Sequence, residues 1–261
     1  MHTSRMNSIF TLPEPDALTQ AVVVLLTFLL AGMVKGVIGL GLPTVAVGLL
    51  GLVMSPLEAA SLLIVPSLVT NVWQLAVGPN FWGITRRLWP MLLAIWAGTW
   101  TGARVLGGVT TGYATTALGA ALLLYGLVGL ARVRLEIPAR TQSWLSPLIG
   151  AATGLTTAAT GVFVIPAVPY LQALNIEKEE LVQALGLTFT ASTLALAASL
   201  WEQQAFRPTV VESSFLALVP ALTGMVVGQW IRKWVSPATF RTCFFLGLVA
   251  LGVHLIVRSI G

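Results

Sequence analysis

The chain has 261 residues, of which 56% are hydrophobic and only 9% are charged, and its formal net charge is +5. A soluble domain carries about 25% charged residues, so this composition excludes a water-soluble globular protein and predicts an integral membrane protein with many spans. In such a protein, basic residues mark cytoplasmic loops, so the positive charge does not indicate nucleic-acid binding. The single cysteine, Cys243, excludes an intrachain disulfide and a cysteine-based metal cluster, and we expect no metal and no cofactor.

The first half of the chain begins with a polar N-terminal tail, residues 1–16. An apolar stretch interrupted by glycine and proline follows over residues 17–54. Its length predicts either two spans or one span plus a re-entrant turn. Three plain apolar runs then predict membrane spans at Leu57–Val77, Leu88–Leu106 and Tyr113–Ala131.

The second half repeats this order after a basic connector, residues 132–143, which contains Arg132, Arg134 and Arg140. A second interrupted stretch covers Trp144–Leu174. Plain spans are predicted at Leu181–Leu200, Val210–Trp230 and Phe240–Val257. We therefore predict an all-α polytopic membrane protein with two membrane repeats, residues 17–131 and 144–258, each a broken or re-entrant helical element plus three transmembrane helices.

Matching residues in the two halves support the repeat. Gly98 and Gly102 correspond to Gly224 and Gly228, Gly36 corresponds to Gly154, and Glu58 corresponds to Glu180, at a slowly drifting offset. Glycines spaced by four residues let two helices approach closely, so we interpret these pairs as packing features. Each glutamate opens a span, where a carboxylate favours the positive end of the helix dipole.

The basic residues predict the topology of the repeats. If each interrupted stretch leaves and returns on the same side, nine basic residues lie on one side and four on the other. The positive-inside rule then places the nine in the cytoplasm and both termini outside it. With this arrangement the halves are inverted relative to each other, as in many secondary transporters. The nine are Arg86, Arg87, Arg132, Arg134, Arg140, Lys178, Arg232, Lys233 and Arg241, and the four are Arg5, Arg104, Arg207 and Arg258.

The two interrupted stretches, centred on Ala31–Gly51 and Ile149–Pro169, predict the substrate site. Irregular backbone at membrane depth is tolerated only where protein buries it or where it lines a wet cavity. Interrupted apolar segments at matching positions of two halves point to a transporter binding site. We therefore expect the substrate to bind between them.

The polar residues in and near these stretches suit an anion, whose charge needs compensation inside a membrane. Lys35 supplies a cation, the helix breaks supply free backbone N–H groups, and hydroxyl and amide side chains supply further donors. The candidate substrate-binding residues are Lys35, Gly39, Gly41, Pro43, Asn71, Gln74, Thr153, Thr156, Thr157, Thr160, Gly161, Thr188 and Ser192.

Structural roles for the same residues stay open at this point. Lys35 lies near the far end of the first apolar run and could extend its side chain to the interface. Each threonine could donate to a carbonyl of its own helix.

Three segments carry a resemblance to the TauE/SafE family of membrane proteins, over about residues 20–257. They are GVIGLGLPTVAV and GTWTGARVL in the first half and GMVVGQWIRKWVSPATFRTCFFLGLVALGVHL at the C-terminal end. The resemblance implies a carrier for small anions, often sulfur-containing ones such as sulfite or sulfonates.

The leading hypothesis is a secondary transporter that exports such anions by alternating access, in the cell (inner or plasma) membrane. We expect the lipid bilayer and a small anionic substrate as its partners, with coupling to a proton or ion gradient and homo-oligomer formation left open. The alternative is a membrane-embedded accessory subunit, or a channel without coupled transport. Catalysis is not expected, because the only histidines, His2 and His254, lie at opposite ends of the chain and no nucleophile–base pair is evident.

Overall fold

The computed structural model describes residues 17–106, 113–131, 136–204 and 208–260. The predicted N-terminal tail lies outside these residues, as do Arg132, Arg134 and Arg207. The described secondary structure is entirely α-helical, which confirms the predicted fold class.

The described residues form ten helices in two runs of five, and both runs follow the same order. In each run, a long helix is followed by a short one and then by three long ones. The helices are α1 (Ala17–Ile38), α2 (Leu42–Leu50), α3 (Pro56–Ala76), α4 (Phe81–Val105), α5 (Ala114–Ala131), α6 (Ala139–Thr160), α7 (Ala167–Gln172), α8 (Lys178–Glu202), α9 (Pro208–Ile231) and α10 (Pro237–Ile260). The long–short pairs coincide with the two interrupted stretches of the sequence.

Six of these helices, α1, α3, α5, α8, α9 and α10, are long and apolar enough to cross a membrane. α4 and α6 are equally long but more polar. α4 contains Arg86 and Arg87, and α6 contains Arg140 and four threonines near its end. The chain is therefore a multi-pass membrane protein.

Both interrupted stretches bend at glycine. α1 is followed by Gly39 and Gly41 with φ angles of 79° and 105°, and α6 by Gly161 with φ 72°. A positive φ angle is strained for residues that carry a side chain, so glycine allows the chain to leave the helix at these points. The chain between α6 and α7 is buried at Val162 and Phe163, as irregular backbone at membrane depth must be.

The helix after each bend is too short to cross a membrane. α2 has nine residues, which at about 1.5 Å per residue extend roughly 14 Å, less than half of the ~30 Å hydrocarbon core. α7 is shorter still, with six residues. Of the two alternatives, the structure therefore has one long helix plus a re-entrant segment in each half.

The predicted carboxylate cap at the start of α3 is confirmed. The hydroxyl of Ser55 accepts from the backbone N–H of Glu58, and the Glu58 carboxylate accepts from the N–H of Ser55. Glu180, the matching glutamate, lies in the first turn of α8. Its carboxylate also accepts a hydrogen bond of 2.8 Å from the side chain of Asn80, which caps α4.

α3 and α8 hold the same place in the two runs and cross antiparallel. The hydroxyls of Ser67 and Thr193 lie 3.1 Å apart, and the Gln183 amide donates to the Leu75 carbonyl at 2.9 Å. Residue numbers therefore rise along one helix where they fall along the other.

α5 and α10, the last helices of the two runs, are antiparallel as well. Gly119 lies against the backbone of Gly252, while Gly126 lies against Val249. Helices at equivalent places thus run in opposite directions. This favours the predicted inversion of the second half, which stays a prediction.

The first helix of each half packs on the fourth helix of the other half, so that α1 lies on α9 and α6 lies on α4. The predicted glycine pairs lie at these contacts. A Cβ at Gly224 would overlap the Leu29 carbonyl, and a Cβ at Gly98 would overlap the Ala151 carbonyl. The packing interpretation of these glycines is confirmed, and it ties the two halves together.

Side-chain contacts show which helix ends lie together. Arg87, near the start of α4, donates at 2.8 Å to Gln142, near the start of α6. At the other end of the bundle, Arg104 forms an ion pair of 2.7 Å with Glu202, and these residues lie at the ends of α4 and α8. The described residues of the predicted basic side thus lie at the end marked by Arg87, which we call the basic end.

A labelling experiment tests this topology. In a Cys243→Ser background, we expect Lys178→Cys at the basic end to be protected from a membrane-impermeant thiol reagent in intact cells, because the positive-inside rule predicts that this end faces the cytoplasm. We expect Val53→Cys, in the exposed link between α2 and α3, to be labelled. The reverse pattern would refute the assigned orientation.

Candidate functional site

Lys35 is buried inside the helical bundle near the end of α1, with only 5% of its surface exposed. Its ammonium donates to the Thr70 hydroxyl at 3.0 Å and to the side-chain oxygen of Asn71, both on α3. The side chain therefore does not extend to the membrane interface.

The acceptors around the Lys35 ammonium are neutral oxygens. Over the described part of the chain the only ion pair is the one between Arg104 and Glu202, so no described carboxylate balances the lysine charge. A buried charge without an opposite charge costs free energy. The ammonium has three donors, and two are used by Thr70 and Asn71. A bound anion would satisfy the third donor and neutralise the charge.

A chain of hydrogen bonds extends from Lys35 to the second half of the protein. The Asn71 amide donates to the Ser67 hydroxyl at 2.9 Å, and that hydroxyl lies 3.1 Å from the hydroxyl of Thr193 on α8. This polar network joins α1, α3 and α8 at the crossing of the two halves.

Gln74 connects the first helix break to α8. Its amide nitrogen donates to the carbonyl of Gly39 at 3.1 Å and to the carbonyl of Val182 at 3.0 Å. One carbonyl freed by the break is thus satisfied. The side-chain oxygen of Gln74 is buried and has no hydrogen-bond partner within the described residues.

The break itself leads directly into α2. Pro43 lies in the first turn of this helix, and Gly41 precedes it without a side-chain cap. The Thr44 hydroxyl donates back to the Gly41 carbonyl at 3.0 Å. A Cβ at Gly41 would lie 2.9 Å from Val34 and 3.2 Å from Phe244, so this turn is closely packed.

The four candidate threonines of α6 make local hydrogen bonds. Thr153, Thr156, Thr157 and Thr160 each donate to the carbonyl four residues earlier. The Thr160 hydroxyl also accepts from the N–H of Val162 at 3.1 Å, which supports the turn at Gly161.

Thr188 and Ser192 on α8 differ from these threonines. Both side chains are fully buried, and neither hydroxyl has a hydrogen-bond partner in the part of the chain that the structure describes. Buried hydroxyls are nearly always paired, so these two are available to a ligand. Ser192 follows Glu180 in α8 by the same interval as Thr70 follows Glu58 in α3, and Thr153 directly precedes Gly154 in α6 as Lys35 directly precedes Gly36 in α1.

The structure thus brings some of the predicted residues together and leaves others apart. Lys35 meets Asn71, and Gln74 meets Gly39, whereas the α6 threonines bond to their own helix. Thr70, Ser67 and Thr193 contribute to the network but were not among the predicted site residues. Ser67, Thr70, Asn71 and Gln74 are spaced by three and four residues along α3, and this polar stripe is the signal that would have identified them.

Comparison with known proteins agrees with this architecture. The family model described as Sulfite exporter TauE/SafE matches residues 24–255, which is most of the chain. Neither the curated proteins nor the solved structures give a match. The family consists of membrane transporters, not enzymes. Because this match covers most of the chain, the chain belongs to the TauE/SafE sulfite exporter family.

Proposed function

We propose that this protein is a secondary transporter that exports small oxyanions, with sulfite and organosulfonates as substrates. One observation carries the proposal. Lys35 is buried, and only neutral acceptors, Thr70 and Asn71, contact its ammonium among the described residues. An oxyanion in contact with Lys35 would supply the missing negative charge and would accept charge-assisted hydrogen bonds.

The remaining donors of the proposed site come from both halves. The unpartnered hydroxyls of Thr188 and Ser192 lie on α8, the helix that the network from Lys35 reaches through Thr193. Tetrahedral and pyramidal oxyanions carry several acceptor oxygens, so a ligand between α1, α3 and α8 could use the ammonium and the hydroxyls at once. The anion would then hold the two halves in contact.

Alternating access would follow from the inverted arrangement of the halves. The break at Gly39 lies beside Val182 at the start of α8, because Gln74 bonds to both carbonyls. The break at Gly161 packs on Ala60 at the start of α3. Since α3 and α8 are antiparallel, the two breaks lie toward opposite ends of the bundle, and movement at one break at a time would open the site to one side.

Export of a monoanion does not require a coupled ion. An inside-negative membrane potential drives an anion outward, with a free energy of about 2.3 kcal/mol per elementary charge per 100 mV. Most of the described carboxylates lie in the first or last turn of a helix or between helices, Glu212 lies in the second turn of α9, and none contacts Lys35. We therefore propose transport that is driven by the potential and the anion gradient, without a carboxylate proton relay.

Reconstitution in proteoliposomes tests the proposal. Vesicles preloaded with unlabelled sulfite should accumulate external labelled sulfite transiently, and the rate should saturate with concentration, because a carrier exchanges its substrate. Inhibition of this uptake by sulfate, phosphate or ethanesulfonate shows which oxyanion the protein prefers. Conductance that does not saturate and lacks counterflow would indicate a channel, and the absence of any flux of these anions would refute the proposal.

A further inference from the structure

A cavity away from Lys35 opens at the basic end of the bundle between α5, α7, α8 and α10. Its volume is about 680 Å³, which is within the range of pockets that bind small organic molecules. The residues that give it chemical character are Tyr125, Glu136, Gln172, Arg241 and Phe245.

Arg241 and Tyr125 both pack against the aromatic ring of Phe245. The guanidinium carbon of Arg241 is 5.4 Å from the centre of the Phe245 ring, and the Tyr125 ring meets Phe245 edge-on with centroids 5.3 Å apart. Arg241 makes no ion pair with any carboxylate among the described residues. The cavity therefore contains a guanidinium whose hydrogen-bonding edge is open to a ligand.

Tyr125 lies in the wall of the cavity with its hydroxyl buried behind the wall. Tyr125 is only 2% exposed, and its buried oxygen has no hydrogen-bond partner in the described part of the chain. A buried tyrosine hydroxyl usually finds a partner. Because the Tyr125 oxygen is not accessible from the cavity, this residue contributes its aromatic ring to the wall beside Arg241.

We propose that this cavity is a separate binding site for a small organic monoanion, such as an alkyl sulfonate or carboxylate, on the cytoplasmic side of the Lys35 site. Arg241 binds the oxyanion through its fork of N–H groups. The Phe245 ring packs against the carbon part of the ligand. Glu136 in the wall disfavours ligands with a second negative charge, such as sulfate.

The position of Phe244 relates this cavity to the buried site. Its ring lies 6.5 Å from that of Tyr125, and a Cβ at Gly41 would lie 3.2 Å from it. Phe244 thus lies between Tyr125 in the cavity wall and Gly41 at the first helix break. We take the anion bound in the cavity to be the one that then moves to Lys35, and only this step rests on the proposed function. Binding in the cavity can be measured by itself.

A cysteine in the cavity wall tests the site. In a Cys243→Ala background, Gln172→Cys is allowed to react with two thiol reagents of similar size, one carrying a sulfonate and one carrying an ammonium. We expect Arg241→Gln to lower the rate ratio of the sulfonate to the ammonium reagent by about tenfold, as charged clefts do for ions of opposite sign. An unchanged ratio would overturn the proposal.

Ligand protection separates this site from the one at Lys35. We expect ethanesulfonate to slow the reaction of Gln172→Cys with a neutral thiol reagent in otherwise unaltered protein and in Lys35→Met. Arg241→Gln should abolish this protection. Protection that is lost in Lys35→Met and retained in Arg241→Gln would overturn the inference. If proteoliposomes carried no anion flux while Arg241-dependent protection remained, the cavity site would stand and the transport proposal would fail.

Discussion

Lys35→Met is expected to abolish anion transport while raising the stability of the ligand-free protein. Methionine fills nearly the same volume without a charge, so the substitution removes the cost of a buried ammonium, which is several kcal/mol. It also leaves the Asn71 oxygen without its donor, at a cost of about 1–3 kcal/mol. The first quantity is the larger, so unfolding of the purified variant should require a higher temperature.

The same variant should lose its stabilisation by ligand. At one hundred times its Kd, a bound anion stabilises the folded state by about 2.7 kcal/mol, and this increment should disappear with Lys35. The measurement is thermal unfolding in detergent with and without the preferred anion, together with counterflow in proteoliposomes. Lys178→Met is the matched control, because Lys178 is exposed at the start of α8. A Lys35→Met protein that keeps both ligand stabilisation and counterflow would show that the substrate binds elsewhere.

The helices themselves could be predicted closely from the sequence. Apolar runs of span length and the glycines at the bends are local signals. They located both interrupted stretches and five plain spans that the structure confirms, α3, α5, α8, α9 and α10. The predicted span Leu88–Leu106 coincides with α4, which is not among the helices apolar enough to cross a membrane. The choice between a second full span and a re-entrant segment could not be made, because it depends on where α2 and α7 end. α2 is followed by Gly51 and an irregular link up to Ser55. Gly48 is the same stop signal in the sequence but lies inside α2, so the glycines alone do not locate that end.

The candidate site was predictable only in part, because its contacts join helices that are distant in sequence. Lys35 and Asn71 are polar residues in apolar runs and are conspicuous on that ground. Their mutual hydrogen bond depends on how α1 packs against α3. The hydroxyls of Thr153 and Ser192 look alike in sequence, yet the first donates to its own helix and the second lacks a partner within the described residues. That difference arises from which helix face each one occupies in the packed bundle.

Gly228→Ala is expected to destabilise the protein and to weaken anion binding at the same time. A Cβ at this position would overlap the Met33 carbonyl of α1 and would lie 3.0 Å from the Cα of Gly36. Backbone atoms cannot rotate away as a side chain can, so α1 and α9 must separate. Overpacking of this kind costs about 1–3 kcal/mol. Because Gly36 adjoins Lys35 in the chain, the same shift should move the ammonium away from Thr70 and Asn71.

Two further substitutions distinguish the causes of this effect. Gly98→Ala places a Cβ against the Ala151 carbonyl in the equivalent contact between α4 and α6, and it should destabilise the protein by a similar amount while leaving anion affinity nearly unchanged. Gly247→Ala on α10 meets nothing within 4 Å, and it should be neutral or should gain up to about 1 kcal/mol from helix propensity. Unfolding midpoints and anion titrations of the three variants provide the comparison. If Gly98→Ala weakened anion binding as much as Gly228→Ala, the loss would reflect general loosening of the bundle rather than displacement of Lys35. The site would then not depend on how closely α1 packs on α9.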